Sequence, residues 1–239
     1  MSYVGRRVDT NVGLHLHLGF TNTNVRRTPL QMTPGHLHLA LADGNGLHTH
    51  VSVHSPKTLK GEASPLAPTL NPLEAIFLQS LLDNLGGICA FSMTTPSSYE
   101  RTDEHVRGST QNVWGSGKYV CWGIHHRQVP IRLCGPAGAH KFELRSVDAA
   151  ANPYLLLASI VAAAVEGADN QMTLTASDSA ALMGQKAKTV SVIPDELPHS
   201  FDEAYRCLEE QDTMSKFFGK SFIQVYRGVI GVRSSVSGA

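Results

Sequence analysis

Residues 43–54 read DGNGLHTHVSVH, and the fold turns on how this stretch is read. Asp43-Gly44 and Asn45-Gly46 are turn dipeptides, because glycine and asparagine accept the positive φ of a tight hairpin. Behind them the residues alternate. In a strand, residues i and i+2 lie on one side. Leu47, Thr49, Val51 and Val53 therefore form one row, and His48, His50, Ser52 and His54 form the other. The first row suits a core. The second offers neutral imidazoles, good ligands for divalent transition metals. On these residues alone two readings stand: a metal-facing row, or a half-exposed strand whose solvent side is rich in histidine.

Working upstream, PGHLHLAL (His36, His38) reads as the strand before the turn, so residues 35–54 form two strands. A third His-x-His pair, His15 and His17, lies in the weakly alternating LHLHLGFTNTN. The three pairs share neither spacing nor flanks, which excludes a repeat architecture. Residues 1–30 remain ambiguous.

Downstream, NPLEAIFLQSLLDNLGG starts a helix: Asn71 caps it, Pro72 fits the first position and Glu74 completes a capping box. Gly86-Gly87 reads as its end. Residues 97–118 read as a long polar loop, a kind that is usually functional or disordered. YVCWG, VPIRLCG and HKFELRSVD read as short strands. ANPYLLLASIVAAAVEGADN is a helix capped by Asn152, apolar all round and so expected to be buried. Ser200 with Glu203 opens another helix, and an amphipathic helix around 220–232 closes the chain. Strands mixed with capped helices indicate an α+β domain.

Composition narrows the function. The chain has 239 residues, 42% of them hydrophobic, enough for a packed core. Lys plus Arg and Asp plus Glu are both 20, so charge recommends neither a nucleic acid nor an anionic membrane. The four cysteines are scattered, without a Cys-x-x-Cys pair, which signals neither a zinc ribbon nor a disulfide framework. The N-terminus lacks the apolar segment of a signal peptide. The longest apolar run, 155–165, is too short to span a bilayer. Reduced thiols and a cytoplasmic setting are the expectation.

The residues able to carry chemistry are the His48/His50/Ser52 row, Arg101, Arg127 with Arg132, and Glu143 with Arg145. Glu143 and Arg145 share one strand face by the period of two. Arginine offers forked contact to carboxylates and phosphates, although each arginine alone reads first as solvated surface.

Five segments in order resemble the C-terminal catalytic region of glutamine synthetase. DGNGLHTHVS matches the family's Asn-Gly-Ser-Gly-Met-His-x-His-x-Ser element, TTPSSYER its Pro-Thr-x-x-Ser-Tyr-x-Arg element, and WGIHHRQVPIR its Trp-Gly-x-x-Asn-Arg-x-x-x-x-Arg element. ELRSVDAAANPYLLL and LPHSFDEA match the two that follow. The resemblance implies a curved antiparallel sheet with flanking helices, incomplete at the N-terminus. It divides the chain into an unassigned segment 1–31, a catalytic domain 32–233 and a tail 234–239. It implies an ATP-dependent carboxylate–amine ligase that joins glutamate to ammonia or an amine through an acyl phosphate, with Mg²⁺ or Mn²⁺. By that likeness His48 and Glu143 are metal ligands. His50 and Ser52 contact nucleotide. Gly44, Arg101 and Arg145 bind the amino-acid substrate. Arg127 and Arg132 neutralise phosphate charge during catalysis. A homo-oligomer is implied for a full-length parent.

The chain also departs from that pattern. Residues 1–42 contain no Glu, and Asp9 and Asp43 are the only carboxylates up to the histidine strand. Mg²⁺ prefers octahedral oxygen ligands, so His48 and Glu143 are too few. The segment after Arg101 lacks the family's Pro-Gly-Tyr-Glu flap; Asp43 and His126 stand where asparagines are usual. A catalytically inactive or truncated relative acting as a binding module is therefore the alternative, and the expectation is little or no turnover by this chain alone.

Overall fold

The computed structural model describes residues 15–22, 46–54, 63–99, 102, 117–179 and 195–236. Gly44, Arg101 and the strand expected at 35–41 lie outside the described residues, as does most of the polar loop 97–118.

The sheet has five strands: β1 (His15–Asn22), β2 (Gly46–His54), β3 (Trp122–Ile124), β4 (Ile131–Cys134) and β5 (Lys141–Asp148), in the order β1-β2-β5-β4-β3. β1, β2, β5 and β4 pair antiparallel. The expected all-antiparallel sheet is corrected at one edge, where β3 runs parallel to β4. A three-residue strand is about 10 Å long, so the six residues between Ile124 and Ile131 suffice to carry the chain back. His125, at φ 53°, makes part of that reversal, and its amide donates to the Leu133 carbonyl at 2.9 Å.

The helices are α1 (Pro72–Ser92), α2 (Pro96–Tyr99), α3 (Pro153–Asn170), α4 (Phe201–Glu210), α5 (Asp212–Phe218) and α6 (Lys220–Val236). α1 packs on β5 and β2, with Phe77 edge-on to Phe142 at 5.1 Å. Around this contact Val51, Val53, Leu78, Leu81, Leu85, Ile131, Leu144 and Val147 make the core. α1 has the length and hydropathy of a membrane span, but 83% of that window is buried inside the fold.

The caps form as read. Asn71 Oδ1 accepts from the Glu74 amide at 3.0 Å, and Glu74 returns a carboxylate to the Asn71 amide at 2.9 Å. At α4, Ser200 Oγ accepts from the Glu203 amide at 3.2 Å, while the Glu203 carboxylate reaches the His199 amide rather than the cap residue's own.

Two readings need correction. α1 does not stop at Gly86-Gly87 but runs to Ser92. The glycines serve close packing against α4: a Cβ on Gly87 would sit 2.0 Å from Gln211 Oε1 and 3.3 Å from Leu208 Cα. Helix α3 is not buried all round. Leu156, Ser159, Ile160, Ala162, Ala163, Ala164 and Gly167 are covered, whereas Tyr154 is 77% exposed. Gly167 lets α3 approach α1, since a Cβ there would lie 2.7 Å from Ser80 Cβ.

Candidate active site

The alternation of β2 decides what lies on each side of the sheet. Thr49, Val51 and Val53 are buried against the helices. His48 and His50 are half-buried on the opposite face, with Ser52 buried between His50 and the exposed His54. The register then builds a row across all five strands: Gly19, His50, Glu143, Arg132 and Gly123 are successive Cα partners. Glu143 occupies its middle.

A register shift between Leu47 and Thr49 lets one residue of β2 span two of β5. A bulge of this kind re-aims side chains. Its effect is visible along β5: Phe142 and Leu144 face the core before it, and Val147 does so after it. Glu143 and Arg145 stay together on the other face, and His48 reaches Glu143 from the neighbouring strand.

The resulting contacts are short. Glu143 Oε1 lies 2.9 Å from His48 Nδ1 and accepts from Arg145 Nη1 at 2.7 Å; Oε2 accepts from Arg132 Nη1 at 2.8 Å. Cys134 Sγ donates weakly to Oε2 at 3.6 Å. Burial alone would raise the Glu143 pKa, but the His48 hydrogen bond and the Arg145 and Arg132 interactions override it and hold the carboxyl well below its ordinary range. Burial pushes the Cys134 thiol up, and Glu143 adds to this. Burial also lowers His50, helped by the His48 and Arg132 charges and opposed by Glu143.

One carboxylate faces two guanidiniums, so the cluster keeps excess positive charge. Arg145 is 4% exposed, and its Nε, like that of Arg132, is buried without a hydrogen-bond partner among the described residues. Buried donors of this sort are costly unless something accepts from them. The arrangement suits an anionic group presented from the open side. Arg127 is exposed in the β3–β4 loop, near enough for its charge to act on Arg145.

Of the residues singled out in the sequence, His48, Glu143, Arg132 and Arg145 are thus in direct contact, His50 stands in the same row, and Arg127 lies at its margin. Ser52 is one step along the strand, with Oγ 3.2 Å from His54 Nε2. Two contributions were not legible beforehand. Cys134 enters only because its register sets it beside Lys141, next to Glu143. Asp148 closes the far end of β5: its carboxylate accepts from the Thr94 amide at 2.9 Å, the Ala150 amide at 2.7 Å and the Ser98 hydroxyl. It thereby ties α2, which leads to Arg101, to the strand bearing Arg145.

The donor set does not suit a divalent metal. Among the described residues no group of three or more His, Cys, Asp and Glu side chains could hold an ion. His48 Nδ1 and Glu143 Oε1 are bonded to each other, and both Glu143 oxygens are engaged by arginine. One nitrogen and one committed carboxylate do not make a Mg²⁺ site, which takes oxygen ligands in octahedral geometry.

Comparison with known proteins agrees with this layout. The family model described as glutamine synthetase, catalytic domain, matches residues 36–230. Protein fluG of Emericella nidulans is 27% identical over 188 residues, which cover 77% of this chain and 19% of fluG. Gamma-glutamylputrescine synthetase PuuA of Escherichia coli K12 is 27% identical over 190 residues, covering 77% of this chain and 36% of PuuA. Among solved structures, one titled GmaS/ADP complex is 27% identical with a TM-score of 0.59, covering 77% of this chain and 42% of that one. The chain therefore spans less than half the length of these relatives. Its fold, its motif order and the match across most of its length show that it belongs to the glutamine synthetase family, over that family's catalytic domain.

Proposed function

We propose that this chain carries the nucleotide- and acid-binding half of an ATP-dependent carboxylate–amine ligase making γ-glutamyl amides. The observation that carries the reading is the Glu143 cluster, in which three separated motifs meet with two guanidinium donors unsatisfied among the described residues. In the reaction, a carboxylate oxygen attacks the γ-phosphorus of ATP and ADP leaves. An amine nitrogen then attacks the acyl carbon, the carbon–oxygen bond to phosphate breaks, and the nitrogen loses a proton.

The chain's own residues act on charge and position. Arg132, with Arg127 at the margin, neutralises phosphoryl oxygens as negative charge spreads over them. Arg145, held by Glu143, presents its remaining donors to a substrate carboxylate, a role shared with Arg101 and Gly44. His50 and Ser52 meet the nucleotide. A divalent metal arriving with the nucleotide would add charge neutralisation, but the described residues do not complete a site for it. Putrescine, in the relative's name, makes amines larger than ammonia natural candidates.

A second reading has its own observation. Both Glu143 oxygens are already committed within the protein, which suits a binding module that holds anionic ligands without turnover. ATP-dependent phosphate release with glutamate and a panel of amines separates the two. The ligase reading expects a γ-glutamyl product that disappears in Arg132→Ala. Nucleotide binding with no product from any amine supports the module and overturns the ligase.

A further inference from the structure

We propose that His126, Asp178 and Ser179, which converge over Gly123 at the β3 edge of the sheet, form a subsite for the distal ammonium of a diamine substrate. This site rests on the ligase reading, in which an amine is the second substrate. β3 faces the core with Trp122, which is buried and is the Cα partner of Ile131. Gly123 therefore lies on the other face, beside its partner Arg132 and in the row of Glu143. A Cβ on Gly123 would lie 2.8 Å from Ser179 Oγ, 2.9 Å from His126 Cβ and 3.3 Å from Asp178 Oδ1. His126 arrives from the β3–β4 loop, one residue before Arg127. Asp178 and Ser179 arrive from the segment after α3, which is pinned across β3. Trp122 Nε1 donates to the Ala176 carbonyl at 2.9 Å, the Thr175 amide to Gln79 Oε1 at 2.9 Å, and the Ile124 amide to Asp178 Oδ2 at 3.4 Å.

The chemistry of the three side chains sets the ligand class. Ser179 is 6% exposed, and neither its Oγ nor the buried His126 Nδ1 has a hydrogen-bond partner among the described residues. Buried polar atoms of this kind call for a partner. Both can accept, Nδ1 in the tautomer that carries its hydrogen on Nε2. The Asp178 carboxylate beside them sets the sign of that partner: it attracts a cation and repels a phosphate or carboxylate. One imidazole, one carboxylate and a neutral hydroxyl fall short of a divalent metal site. An alkylammonium has three N–H donors and no acceptor, which suits three acceptors around one point. His126 and Asp178 are half-buried, so the group has a way in from solvent. A protonated nitrogen has no lone pair with which to attack an acyl carbon. The held group is therefore the far end of a diamine whose other, neutral nitrogen reacts. Arg132, assigned to phosphoryl oxygens, stands one strand away, about 4.7–4.9 Å.

The test titrates the full chain calorimetrically with 1,4-diaminobutane and with its uncharged counterpart, 1,4-butanediol. Arg132 repels a neighbouring cation until its own anion is bound, so both are titrated with and without pyrophosphate. The diamine should bind at least about tenfold tighter than the diol, the worth of one charge-assisted hydrogen bond. Asp178→Asn, which keeps an oxygen for the Ile124 amide, should close most of that gap, and Ser179→Ala should narrow it. Melting and circular dichroism check the fold. Should Asp178→Asn melt early, Ser179→Ala provides the same readout. Equal binding of diamine and diol overturns the site. A gap that survives Asp178→Asn also overturns it, since attraction to acidic surface elsewhere would do the same. Phosphate release with ATP and glutamate then reads which end is held. The diamine should be preferred to butylamine, and a preference for butylamine or ammonia overturns the diamine assignment. Phosphate release with no amine at all counts against the ligase reading, while the calorimetric gap decides the site.

Discussion

Two buried glutamates in this molecule each face a histidine, and they do different things. Glu74 lies 3.1 Å from His140 Nδ1, with both side chains at most 5% exposed. Its carboxylate also closes the capping box of α1, so the pair fastens a helix start to the turn before β5. Glu143 has its histidine at 2.9 Å but adds two guanidiniums. The first pair is internally complete. The second holds more positive than negative charge and leaves two arginine donors without partners among the described residues. A buried His–Glu pair by itself serves here as a fastening; the proposed function rests on the surplus charge around Glu143.

The same substitution at both places gives the strongest test. Glu143→Gln keeps the shape but strands two guanidiniums without a counter-charge, and should cost about 3–5 kcal/mol in urea unfolding. Glu74→Gln retains an oxygen for the Asn71 amide, since glutamine also completes a capping box, and should cost about 1 kcal/mol or less. Equal losses would erase the distinction between the two pairs.

Anions should sharpen it. With Glu143 neutralised, Arg132 and Arg145 are left to bind an oxyanion. Pyrophosphate should raise the Tm of Glu143→Gln more than that of the unaltered chain, by an amount equivalent to about 2–3 kcal/mol at a hundredfold excess over Kd. Glu74→Gln should respond as the unaltered chain does. Thermal scans with and without pyrophosphate decide this.

Acid provides a third measure. The Glu143 pKa is lowered from its ordinary 4.5, so its contribution is fully present above pH 4.5 and is lost as pH falls through the lower folded value. Glu143→Gln should flatten the loss of stability in that acid range. Urea midpoints measured from pH 5 downward test it.

The smallest effect belongs to His50. Burial lowers its pKa from 6.5, so the folded state prefers the neutral ring. Its contribution is present above pH 6.5 and declines as pH falls through the folded value. His50→Gln should remove a shallow slope just below pH 6.5, worth a fraction of the Glu143 effect. An unchanged slope in the variant would show that His50 does not titrate against burial.

Much of this was legible beforehand where the signal is local. The β2 alternation sorted Thr49, Val51 and Val53 from His48, His50 and Ser52, because strand geometry has a period of two whatever lies nearby. The caps at Asn71, Asn152 and Ser200 were readable because each is closed within one turn of its helix. The motif resemblance added which distant residues belong together. It did not say that Glu143 would bond His48 directly, that Cys134 would stand beside it, or that Asp148 would tie the end of β5 to α2.

What the chain's order of residues determined by itself was periodicity, capping and the pairing of Glu143 with Arg145 on one strand face. Tertiary structure alone decided the rest. Gly86-Gly87 looks like a helix stop from within the chain, yet the helix continues, and a Cβ at either glycine would crowd α4 at 3.1–3.3 Å. The β2–β5 bulge, the β1–β2 register and the row from Gly19 to Gly123 come from how separate segments pack. A strand's period says which residues share a face, but only its neighbours say which residues stand opposite, because register arises between segments and not within them.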